Sequence, residues 1–156
     1  MKSRTIAKTF TIAAVAALAL GLSPTVKAAD RGCSNASVNG TFAYTSTGVI
    51  TAPPDLAGPV AEVGTQTFDG KGATDATATL SQNGAVFPVA ITGTYQVNPD
   101  CTGTMTLQVS IPGFPAFPLH VYFVVDDGGN GFQGMETDAG LVITRVARRL
   151  VPGRAI

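Results

Sequence analysis

Between residues 85 and 111 the chain alternates apolar and polar side chains. Ala85, Phe87, Val89, Ile91, Gly93, Tyr95 and Val97 form one row, with Thr92, Thr94 and Gln96 opposite. After a break, Met105, Leu107, Val109 and Ile111 alternate with Thr104, Thr106, Gln108 and Ser110. A period of two gives a strand one buried and one wet face. The break itself, Asn98-Pro99-Asp100, is turn chemistry, and a proline there does not belong to a central strand. "FDGKG" (Phe68 to Gly72), "SQNGA" (Ser81 to Ala85), "DDGGNG" (Asp126 to Gly131) and "TDAG" (Thr137 to Gly140) mark further hairpins.

The runs between these turns predict eight strands, near 41–51, 60–68, 73–81, 85–97, 102–111, 117–126, 131–137 and 140–149. Beyond the first 28 residues no stretch has a helical period. Consecutive hairpins without a long crossover predict an all-β, up-and-down antiparallel sheet. Closure removes exposed edges, so an eight-stranded barrel is expected, with a two-sheet β-sandwich as the alternative. "APPDLAGP" (Ala52 to Pro59) and "PGFPAFP" (Pro112 to Pro118) are read as loops at the barrel ends.

The start of the chain departs from this pattern. Lys2, Arg4 and Lys8 precede an apolar run from Phe10 to Leu22, followed by a short stretch ending Val26-Lys27-Ala28. These are the three parts of a secretory signal peptide, expected as a helix over 1–28 with cleavage after Ala28. The apolar run is shorter than the roughly 20 residues that span a bilayer. Residues 29–156 are then a single β-barrel domain. Its expected location is the periplasm or the extracellular space.

Cleavage changes the charge. Lys2, Arg4, Lys8 and Lys27 leave with the leader, so six basic residues face ten acidic ones, formally −4. A nucleic-acid binder would carry a basic excess instead. An exported chain with two cysteines, Cys33 and Cys101, is expected to join them. Such a link ties the N-terminal segment to a hairpin corner. An outer-membrane barrel uses the same alternation inside out, but it calls for aromatic girdles. This chain has no tryptophan, and no membrane contact is expected after cleavage.

The stretches "CSNASVNGTFAY" (Cys33 to Tyr44), "TFDGKG" (Thr67 to Gly72), "GTYQVNPDCTGT" (Gly93 to Thr104) and the closing "FVVDDGG…TDAG…VARR" resemble an uncharacterised family of small exported bacterial proteins. The resemblance covers residues 29–156 and implies a closed barrel similar to the allene oxide cyclase-like and lipocalin-like barrels. It carries no activity. Arg145 stands where a small residue is expected.

Candidate chemistry is sparse. His120, the single histidine, sits in "FPLHVYFVV" opposite Phe117, Leu119, Val121 and Phe123, and is expected on the outside. No nucleophile motif or phosphate loop accompanies it. One histidine and two joined cysteines do not make a zinc site of the usual composition. Read from Asp126 as a calcium loop, the chain puts Gly128 at the third position and Thr137 at the twelfth, so a hairpin turn is preferred. No cofactor is expected. Arg145, Arg148, Arg149 and Arg154 read as a solvated basic strand end, pairing with Asp126 or Asp127.

Glu62 is the exception. In "VAEVGTQTF" it shares a face with Val60, Gly64, Gln66 and Phe68. If Phe68 points inward, so do Glu62 and Gln66, and a carboxylate inside a barrel marks a ligand site. The plainer expectation places Glu62 at the wet rim, near the Pro59 loop. Tyr44, Glu62, Gln66, Phe68 and Tyr95 are accordingly the candidate ligand-binding residues. Three functions compete: a barrel holding a small apolar ligand, a solid structural or interaction protein of the envelope, and, by fold analogy alone, a cyclase-type isomerase.

Overall fold

The computed structural model describes residues 32–150. The expected leader helix over 1–28 and Arg154 lie outside the described residues. Among the described residues eight strands follow one another: β1 (Gly40–Ile50), β2 (Gly58–Phe68), β3 (Ala73–Gln82), β4 (Ala85–Val97), β5 (Thr102–Ser110), β6 (Phe117–Asp126), β7 (Gly131–Glu136) and β8 (Leu141–Arg149). Each pairs antiparallel with the next, and β8 returns to pair with β1, from Phe42–Arg149 to Ile50–Leu141. The sheet is a closed up-and-down barrel, not a sandwich.

Local chemistry sets the corners. At the β2–β3 turn, Oδ1 of Asp69 accepts the backbone N–H groups of Lys71, Gly72 and Ala73 at 2.7, 2.8 and 2.9 Å. Those donors hold the Asp69 carboxyl below its ordinary pKa. Asn83 and Gly84 both take positive φ (50° and 85°), the geometry a two-residue hairpin favours. Asp100 closes the β4–β5 turn by accepting from both the N–H and the hydroxyl of Thr102.

That turn carries Cys101, which is disulfide-bonded to Cys33 with their Cα atoms 4.8 Å apart. The N–H of Cys33 also donates to the Pro99 carbonyl. Beyond it a 3₁₀ turn, Asn35–Val38, crosses the barrel end and buries Val38. Arg149 fastens this cap by donating to the carbonyls of Ser37, Asn39 and Gly129.

The barrel is packed at this end. Phe42, Phe68, Phe123 and Phe132 are all at most 1% exposed. Their rings meet edge to face or tilted, with Phe42–Phe68 at 5.5 Å, Phe68–Phe132 at 5.7 Å and Phe123–Phe132 at 5.5 Å between centroids. Each such pair adds about 0.5–1.5 kcal/mol to its area burial. This end is solid.

The outward rows of β3, β4 and β5 carry Thr77, Thr79, Thr92, Thr94, Thr104 and Thr106, all exposed. His120 is exposed too, as expected. Its Nδ1 lies 2.7 Å from Oδ1 of Asp138, whose Oδ2 accepts the His120 N–H at 2.6 Å.

Candidate functional site

The inward rows change character along the strands. On β1, Phe42 lies in the packed end; Tyr44 and Ser46 come next and Ile50 lies near the opposite mouth. On β2 the same journey runs Phe68, Gln66, Glu62, Val60. A polar layer therefore crosses the barrel between an aromatic plug and an apolar cup.

The layer is built by register. Gly134, Arg145, Ser46 and Glu62 are direct cross-strand neighbours on β7, β8, β1 and β2. Strand parity turns the long side chain of Arg145 inward, where it is 1% exposed. The expectation of a solvated basic strand end therefore fails at Arg145. Its neighbours Ile143 and Ala147 are buried on the same face, and inward parity outweighs the local run of arginines. The same expectation holds for Arg148, whose Nη1 lies 3.3 Å from Oδ2 of Asp127.

Arg145 organises what surrounds it. Its Nε donates to Oγ of Ser46 at 3.0 Å and its Nη1 to Oε1 of Gln66 at 3.3 Å. Nη2 lies 3.6 Å from Oε1 of Glu136 and 3.9 Å from Oε1 of Glu62. The guanidinium stacks over the Tyr44 ring at 4.4 Å. Tyr44 in turn donates its hydroxyl proton to Oε1 of Glu62. Gln66 donates onward to Thr74 at 3.1 Å.

Glu62 thus lies inside the barrel with 12% of its side chain exposed, not at the wet rim. The reason is its place on the strand: it lies four steps in from Gly58, the first residue of β2, about 13 Å along the strand at about 3.3 Å per residue. Burial pushes the Tyr44 phenol well above its ordinary range, and the adjacent Glu62 carboxylate pushes it further. Burial likewise raises Glu136, against the pull of Arg145. Two carboxylates share one guanidinium, so with both ionised the layer has one negative charge in excess. Oε2 of Glu136 is buried and has no hydrogen-bond partner among the described residues.

Above the layer lies a cavity of about 640 Å³, within the roughly 300–1,000 Å³ of small-molecule sites. Ser46, Glu62 and Glu136 are in its floor, and Val60, Leu80, Ile91, Val109 and Ile143 in its wall. Loops 51–57, 111–116 and 137–140 frame the mouth, where Phe114 leans edge-on against Phe87 at 5.7 Å. One end is a stopper and the other a door.

Of the five candidate residues, Glu62 lines this cavity. Tyr44 and Gln66 support its floor from the layer beneath. Phe68 and Tyr95 belong to the packed end, 4.9 Å apart edge to face, and Tyr95 donates to the Asn35 carbonyl. Sequence reasoning missed Glu136, Ser46 and the interior role of Arg145. The signal was present for Arg145 and Glu136, which keep the parity of Ala147 and Phe132. No family model, curated protein or solved structure matches the chain.

Proposed function

We propose that the protein is an exported, non-catalytic barrel that binds one small, largely apolar molecule in its cup. The observation that carries this reading is the cavity of about 640 Å³, apolar in its wall, polar in its floor and open at one end. Ligand sites have that composition: hydrophobic walls with a few convergent polar groups. The Cys33–Cys101 disulfide supports an oxidising compartment, in keeping with the leader read from the sequence. A filled structural barrel is favoured by the aromatic end alone.

Titration with the uncharged dye N-phenyl-1-naphthylamine tests the proposal. Bound dye brightens in an apolar cup, and Val109→Trp, which projects a larger side chain into the cavity from its wall, weakens the signal while the variant still melts cooperatively. Wild-type protein that leaves the dye dark, or equal brightening by the two proteins, overturns it.

A further inference from the structure

We propose that the cup selects an amphiphile that enters head first, and that its head is a single cationic ammonium received by Glu136 and Glu62. The inference rests on the ligand-binding reading above and adds the chemistry of the ligand to it.

Three observations converge on the floor. Glu136 is 3% exposed, yet it lines the cavity and keeps one carboxylate oxygen without a hydrogen-bond donor. A buried acceptor left unpaired is unfavourable, and more so when charged, so such a group marks a place for a donor. No neighbouring donor reaches that oxygen. Tyr44 gives its one hydroxyl proton to Glu62. Arg145 donates from Nε to Ser46 and from Nη1 to Gln66, and its Nη2 stands 3.6 and 3.9 Å from Oε1 of Glu136 and Glu62.

Charge narrows the choice of donor. The titratable and charged groups of the layer are Tyr44, Glu62, Glu136 and Arg145; Asp138, at the mouth, is held by His120. With both ionised, Glu62 and Glu136 together exceed Arg145 by one negative charge. An ammonium supplies both the missing donor and the missing charge. An alcohol supplies only the donor, and a carboxylate head meets two like charges. Above the head, the wall offers Ile91, Val109 and Ile143 to an aliphatic body, Glu62 lying about 13 Å along β2 from the strand's start.

Displacement of the bound dye by decylamine, decanol and decanoate reads the head group on a common tail. The titrations are run at neutral pH and moderate salt, below the concentration at which each amphiphile aggregates. Decylamine is expected to displace the dye at least tenfold more tightly than the other two, the scale of one hydrogen bond to a charged group. Glu136→Gln keeps the shape of the side chain but removes its charge, and should erase that preference. Asp75→Asn removes a charge from the exposed outward face of β3 and should leave it intact. Comparison within the wild-type protein stands even if a variant folds poorly. Decanol or decanoate binding within tenfold of decylamine overturns the head-group assignment while the cup reading survives. If no member of the series displaces bound dye, the head-group assignment falls while the cup reading stands; dye that stays dark with the wild-type protein takes both down.

Discussion

Replacing Arg145 with methionine tests the polar layer directly. The side chain is 1% exposed and faces Glu136 at 3.6 Å and Glu62 at 3.9 Å. Removing one partner of a buried ion pair costs about 3–5 kcal/mol, because the other charge is left without compensation. Ser46 and Gln66 also lose their donor, while access from the cup trims the cost at Glu62. These effects place Arg145→Met about 4 kcal/mol below wild type at neutral pH, or roughly 15 °C in melting temperature for a domain this size.

The loss should depend on pH with a definite sign. Without the guanidinium, burial acts on Glu136 unopposed and its raised pKa climbs further. A carboxyl whose folded pKa is raised contributes stability below its ordinary value of 4.5 and loses it as pH rises through the raised one. The penalty is therefore greatest near neutrality and shrinks by at least half near pH ~4. Asp69, Asp100 and Asp138, all depressed, lose stability as pH falls in both proteins alike. Urea unfolding of the two proteins side by side, followed by circular dichroism, reads the difference at each pH. An equal penalty at both pH values, or one under about 1 kcal/mol at neutrality, refutes the reasoning.

The two halves of the barrel should answer differently to truncation. Phe132→Ala in the packed end is expected to cost about 3–5 kcal/mol in denaturant unfolding, while Ile143→Ala, which borders the cavity, falls at the low end of about 2–5. Equal losses at the two sites would contradict a hollow upper half. Replacing both Cys33 and Cys101 with serine releases a link across 68 positions of sequence and should lower stability by about 4 kcal/mol on chain-entropy grounds. Unchanged unfolding midpoints would count against that figure. Intact mass of the product recovered outside the cytoplasm should match a chain that begins at Ala29, and a mass retaining residues 1–28 would dismiss the leader.

Much of this arrangement is legible in the sequence, for a physical reason. Strand parity is local information, so the rows from Phe87 to Val97 and from Met105 to Val109 announce their inward faces, and the turn residues announce where each row stops. The strand limits of β4 and β6 coincide with the expected ones. What parity does not encode is height along the barrel axis. Whether Glu62 sits at the rim or deep inside depends on how β2 is staggered against its neighbours, which its own residues do not state. Arg145 shows the second limit. Read beside Arg148 and Arg149 it looks like a solvated cluster, although it shares the parity of Ile143 and Ala147. Glu136 faces it across the β7–β8 hairpin, but Ser46 and Glu62, on β1 and β2, reach it only when closure pairs β8 with β1.

Pairing of the first strand with the last has a consequence for biogenesis. Phe42 meets Arg149 across nearly the whole described chain, so the sheet keeps two bare edges until its final segment is available. Such distant pairing is slow to form, and a nascent product cut short before Leu141 would offer β1 and β7 to any other extended polypeptide. A polypeptide built this way has no closed barrel until β8 has been made.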